Sequence, residues 1–232
     1  MNPLLWLSGG NIYIGILFIG TMIFSIYAQM KVHSTFRDYS KVPTDRNLSG
    51  VDLAQDLKER FGMDDLSIDL TPGLLTDHYN PKTKSLGLSQ DVAGNRSIAS
   101  LAIVAHEMGH ARQHAERMAF LRFRNQIFPV TNLASNAAIP IFLLGLWIGS
   151  AGLMNIGVLL FGLVSLFYLV TLPIEIDASK RGLAMLVNGG YLNSTELKGA
   201  RSVLNAAALT YIAALASSLA TLMRLLFLSS RR

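Results

Sequence analysis

The sequence predicts a mainly α-helical membrane protein that carries a small α+β domain with a short antiparallel sheet. Two observations carry the membrane part. Hydrophobic residues make up 51% of the 232 and charged residues only 15%. Four windows, Ile12–Met30, Ile127–Ile148, Gly152–Leu172 and Leu204–Leu228, are nearly free of charge. Each is about as long as the roughly 20 residues that cross a bilayer core. The third observation is a polar stretch, residues 31–126, whose apolar positions switch between helical and strand-like spacing.

The elements follow in order. Residues 1–30 form an N-terminal transmembrane anchor. No basic residue precedes the first apolar window, and "SIYAQM" is a poor cleavage site, so the segment is expected to stay attached with its N-terminus outside. Residues 127–172 form a transmembrane hairpin turning near Gly149–Gly152, residues 173–203 return to the first side, and residues 204–232 form a C-terminal hydrophobic helix. That last segment holds Arg224 and ends in "SSRR". It either spans or lies partly at the interface with its arginines snorkelling. Lys31, Arg37, Lys41, Arg46, Arg117, Arg122 and Arg124 flank the spans on one side, which the positive-inside rule makes cytoplasmic. The expected location is a multi-pass cell membrane protein with its polar domain in the cytoplasm. The net charge of +5 is no nucleic-acid signature, because bases interleave with acids. With no cysteine, disulfides and thiolate metal sites are excluded.

Within the polar domain, "NLSGVDLAQDLKERFG" reads as a helix. Ser49 caps it, Leu53, Leu57 and Phe61 share one face, and Gly62 stops it. "LSIDL" and "SLGLS" read as strands, with Asn80-Pro81 marking a turn between them. Asn95 or Ser97 then caps a helix expected to run to about Phe123. In the second span, Thr131, Asn132, Ser135 and Asn136 form a polar strip suited to interhelical hydrogen bonds.

The helix after Ser97 holds His106, His110 and His114, three of the five histidines, at four-residue intervals. His106 and His110 project from one face a turn apart, so two imidazole nitrogens can meet one Zn²⁺. Glu107 can take a proton from a water that such a metal acidifies. This is the H-E-x-x-H arrangement of zinc peptidases. Gly109 is expected to leave room for a substrate. His114 is about 12 Å from His106 by helical rise, too far to share the ion. A third ligand must come from elsewhere. Glu175 and Asp177, just after the third span, are the candidates, with Pro173 as the expected start of their helix. Two apart on a helix, they point about 200° away from each other and cannot both face the metal.

"AIVAHEMGHARQH", "LPIEIDASKRGL" and "DHYNPKTKSLGLS", in this setting of four apolar segments, resemble the bacterial membrane-bound zinc metallopeptidases called YugP-like. More distantly the chain is similar to HtpX-type and CAAX prenyl proteases of the gluzincin class. The resemblance implies a zincin-like fold for the polar domain and one zinc per chain held by His106, His110 and Glu175. It implies Glu107 as general base and hydrolysis of peptide bonds. Ser179 stands where those relatives carry aspartate, which leaves Asp177 to substitute for the carboxylate that buttresses a ligand histidine. The expected substrates are proteins or peptides at the cytoplasmic membrane surface, membrane proteins among them. The "SLGLS" strand is expected to pair with an extended substrate, and His78 and Tyr79 are candidate donors to the oxyanion. The alternative is a membrane zinc-binding scaffold without turnover, against which Glu107 argues, since zinc retention needs no base.

Overall fold

The computed structural model describes residues 12–230. The first 11 residues, where the expected outer N-terminus falls, and Arg231 and Arg232 at the end of the C-terminal segment lie outside the described residues. In chain order the elements are α1 (Ile12–Tyr39), α2 (Gly50–Arg60), β1 (Ser67–Thr71), β2 (His78–Asn80), β3 (Ser85–Ser89), α3 (Gln90–Gly94), α4 (Ile98–Ala115), α5 (Ala119–Ile148), α6 (Ala151–Asn188) and α7 (Ser194–Ser230). The four long helices α1, α5, α6 and α7 are each long and apolar enough to cross a membrane. The chain is thus a mainly α membrane protein with a small α+β portion. Its contacts divide it into two compact units. One holds residues 12–29, 122–172 and 210–230, the other Met30–Leu121 and Pro173–Leu209.

In the apolar unit, α5 and α6 pack through glycines. A Cβ on Gly157 would come within 2.6 Å of Phe142, and one on Gly145 within 2.7 Å of the Met154 backbone nitrogen. Phe142, Met154 and Leu225 are buried together. Ser25 and Ser217 share a hydrogen bond of 3.0 Å between α1 and α7. Arg224 of α7 lies 4.9 Å from the Phe18 ring centre, a cation–π contact. The polar strip of α5 behaves differently from the expectation. Thr131 donates to the Ile127 and Phe128 carbonyls, and Ser135 and Asn136 both donate to the Asn132 carbonyl. These are bonds within one helix, which short polar side chains make to the carbonyls three and four residues back.

In the polar unit, α2 begins as expected. Ser49 accepts from the Asp52 amide while Asp52 accepts from the Ser49 amide, and Gly62 follows the helix at φ 60°. Leu53 and Leu57 of α2, Leu86 and Leu88 of β3, and Leu101, Val104 and Met108 of α4 are wholly buried in one core. Truncating any of these leucines to alanine should cost about 2–5 kcal/mol.

The sheet is mixed rather than antiparallel. Its order is β1-β3-β2, with β1 parallel and β2 antiparallel to β3. The chain reverses twice between β1 and β3, once into the short β2 and once through the hairpin that leaves it, so the first and third strands run alike. Asn80 Oδ1 accepts from the Lys82 amide at the predicted turn. Three-residue β2 is too short to show alternation in sequence. "SLGLS" is therefore the central strand, with neighbours on both sides and no open edge.

Two helix boundaries also differ. The metal-motif helix ends at Ala115, not near Phe123, because Arg117 takes a left-handed backbone, φ 54°, and the Arg117 and Met118 amides turn back to the His114 and Gln113 carbonyls. No glycine or proline announces this stop. Pro173, expected to open a helix, lies inside α6, where its missing N–H is tolerated as in other long apolar helices.

Candidate metal centre

Ser97 caps α4 by accepting from the Ser100 amide, and the helix is buried from its first residue, Ile98. His106 and His110 then project together, their rings 4.8 Å apart and edge to face. The facing element is α6. Its residues Glu175, Ala178, Ser179 and Gly182 follow helical three- and four-residue spacing and so share a face. Glycines on both helices permit the approach. A Cβ on Gly109 would come within 2.4 Å of the Ala178 carbonyl, and one on Gly182 within 2.7 Å of the Ala105 carbonyl. Gly109 thus makes room for α6, not for a substrate.

This crossing delivers one acid to the histidines. Glu175 Oε2 lies 3.3 Å from both His106 Nε2 and His110 Nε2. Glu175 is buried, and its Oε2 has no hydrogen-bond partner. An unpartnered buried carboxylate oxygen is costly unless a cation meets it. A tetrahedral ion with ligands at about 2.0–2.1 Å sets its ligand atoms roughly 3.3–3.4 Å apart. The three atoms, all within 4.8 Å of one another, fit a zinc-sized cation, and two nitrogens with one carboxylate oxygen suit zinc chemically.

The other ring nitrogens are occupied. His106 Nδ1 lies 3.0 Å from Ser179 Oγ, and His110 Nδ1 3.0 Å from Gln113 Oε1. Ser179, at the position where the resemblance led us to expect an aspartate, thus faces His106 with a hydroxyl. Asp177 does not face the trio. Its Oδ2 accepts from Gln113 Nε2 at 2.8 Å and from Arg181 Nε at 2.5 Å.

Glu107 is buried beside the pair. Burial raises its carboxyl above the usual range, since a carboxylate loses its water shell; the two histidines oppose this, and Glu175 and Asp77 add to it. Burial likewise tends to lower His110, but the neighbouring Glu175 and Glu107 carboxylates outweigh it and raise the imidazole.

Tyr79 reaches this site through its backbone. Its amide donates to Glu107 Oε2 at 2.9 Å, while its hydroxyl lies 2.7 Å from His114 Nδ1. His78 is not brought to the trio. It is exposed, its Nδ1 donates to the Thr76 carbonyl, and its ring lies over Gly87, where a Cβ would come within 2.7 Å of it. Sequence reasoning missed Gln113, the Tyr79 amide and Asp77, whose carboxylate accepts from the Ser89 amide and hydroxyl, and it noted Ser179 only as the place of an expected aspartate. The one signal available was the spacing of Ser179, four residues beyond Glu175.

Residues 14–230 match the family model described as "Putative neutral zinc metallopeptidase". The chain is 40% identical over 215 residues, 92% of its length and 96% of the relative's, to "Putative membrane protease YugP" of Bacillus subtilis (strain 168). No solved structure matches it. A match running from α1 to the end of α7 takes in the four apolar helices together with the histidine pair and Glu175, so the chain belongs to this zinc metallopeptidase family.

Proposed function

We propose that the protein is an integral-membrane zinc endopeptidase that cleaves protein or peptide chains at the cytoplasmic surface of the membrane. The observation that carries this reading is the convergence of His106 Nε2, His110 Nε2 and an otherwise unpartnered Glu175 Oε2, with Glu107 alongside. His106, His110 and Glu175 hold one zinc per chain. When bound, the zinc supplies Lewis acidity, lowering the pKa of a water and polarising the scissile carbonyl. Glu107 takes the proton of the attacking water and hands it to the leaving amine. Its raised proton affinity suits that task, because a base is most effective with a pKa near the working pH. The Tyr79 amide holds Glu107 Oε2 and so directs the carboxylate. β3 is central and has no free edge, so an extended substrate would pair with an outer strand of the sheet rather than with "SLGLS". Tyr79 faces the chemistry through its amide, while its hydroxyl is turned to His114 and His78 is turned to the Thr76 carbonyl, so neither side chain serves the oxyanion.

The side of the membrane follows from charge. Basic residues crowd residues 31–46 and 117–124, which supports a cytoplasmic position for residues 31–126 and 173–203. Single cysteines at Ser49 and Ser194 should resist an impermeant thiol reagent in intact cells, while one at Ser150 should react. Labelling at Ser49 from outside would put the site on the opposite face.

Activity is tested by comparing membrane proteomes of cells bearing wild type and Glu107→Gln. Substrates should accumulate with the variant while purified protein keeps its zinc. Equal proteomes and equal zinc would favour a scaffold that binds metal without turnover.

A further inference from the structure

The two histidines of the centre are held by unlike partners. Ser179 Oγ, facing His106 Nδ1, can donate or accept, so it leaves the imidazole's tautomer open. Gln113, facing His110, has no such freedom. Its side chain is fully buried, and its Nε2 lies 2.9 Å from the Ile174 carbonyl and 2.8 Å from Asp177 Oδ2. Both of those groups only accept, so the amide nitrogen must face them and Oε1 must face His110. Oε1 also only accepts, so His110 Nδ1 must carry a proton, and in the neutral imidazole that a metal requires the lone pair then sits on Nε2. Asp177 is itself anchored by Arg181 Nε, while Arg181 Nη1 holds Glu116 Oε2 at 2.5 Å and Arg112 Nε holds Glu116 Oε1 at 2.7 Å. Glu116 is the residue at which α4 stops. A line of hydrogen bonds thus runs from His110 through one buried amide to a carboxylate and an ion-pair cluster at the end of α4.

We propose that Gln113 is a positioning residue for the metal centre. It locks His110 in the tautomer that offers Nε2 to zinc and relays to it the charge of Asp177, which touches no ligand. This rests on the zinc reading above and adds to it an inequality between the histidines: His110 is set by a relayed carboxylate, His106 by a neutral hydroxyl. A carboxylate placed directly on His110 would hold it more strongly, but only an amide can also satisfy the Ile174 carbonyl and Asp177 on its far side.

The test is a double-variant cycle on the full-length protein in detergent. It reads the rate at which bound zinc passes to a chelator and the visible absorption of the cobalt(II)-substituted site. Gln113→Leu should speed zinc release about 10–100-fold, the range for losing a ligand's supporting partner, and should shift the cobalt bands. Asp177→Asn should speed release by less. In the Gln113→Leu background, Asp177→Asn should add less than about twofold, because its influence passes through the missing amide. A packing role alone would leave the two effects independent and multiplying. The proposal is overturned if Gln113→Leu releases zinc at the wild-type rate, or if Asp177→Asn has its full effect in both backgrounds. Should Gln113→Leu misfold, Asp177→Asn alone decides through the cobalt spectrum: unchanged bands and release rate overturn the relay. His110→Ala separates the premise from the proposal. Zinc unaffected by that change overturns the metal reading and the relay with it, whereas zinc lost there but indifferent to Gln113 overturns the relay alone.

Discussion

Two polar stripes run along long helices of this protein and use their hydrogen bonds in opposite ways. On α5, Thr131, Ser135 and Asn136 turn back to carbonyls of their own helix. On α6, Glu175 and Ser179 reach across to His106 and His110. In sequence the stripes look alike, with short polar residues three and four apart in an apolar setting. The difference lies in what faces them. Gly109 and Gly182 let α4 and α6 approach until carbonyl and Cα nearly touch, and side chains at the crossing then meet partners far away in the chain. The α5 side chains are satisfied by carbonyls of their own helix instead.

The comparison breaks most severely at Glu175. Glu175→Ala should abolish zinc retention and hydrolysis, since two histidines alone hold zinc weakly; metal analysis of purified protein measures it. Asp177→Ala should keep the metal with release quickened by at most about 10–100-fold. Zinc kept in the first variant and lost in the second would exchange their roles.

Forcing the helices apart comes next. Gly182→Leu should destabilise the protein by about 1–3 kcal/mol or more through overpacking and should weaken zinc binding, although residue 182 touches no ligand atom. Thermal unfolding and chelator competition on one preparation would show both losses together. Unfolding lowered with zinc binding intact would mean the trio survives without close contact.

The smallest effect belongs to α5. Replacing Ser135 and Asn136 by alanine should change stability by no more than about 0.5 kcal/mol each and leave zinc content unaltered. A loss of metal or activity would show that this stripe has a partner after all.

Legibility followed distance along the chain. The spacing of His106, Glu107 and His110 is local and visible in any helix, as are the Ser49 and Ser97 caps. Glu175 was singled out from Asp177 by family resemblance, because two acids at one helix start differ only in the direction the helix presents them. Gln113 gave no such sign, and Ser179 was marked only as a departure from an expected aspartate. Buried amides and hydroxyls are common, and their partners depend on the crossing of α4 and α6. The sheet order escaped for a similar reason: β2 spans only His78–Asn80, so its insertion at the edge left no alternation to read. The end of α4 rests on a non-glycine residue with positive φ, a choice composition does not announce.

The separation of the ligands in sequence has a consequence for how the protein is made. Glu175 follows His110 by 65 positions, with the apolar parts of α5 and α6 between. At roughly 5–20 residues per second, a ribosome adds the glutamate about 3–13 seconds after the second histidine, and later still it clears the exit tunnel. Until then the nascent chain displays a histidine pair with no carboxylate to complete it. If the trio holds zinc as proposed, its capture must wait until both intervening segments have been synthesised.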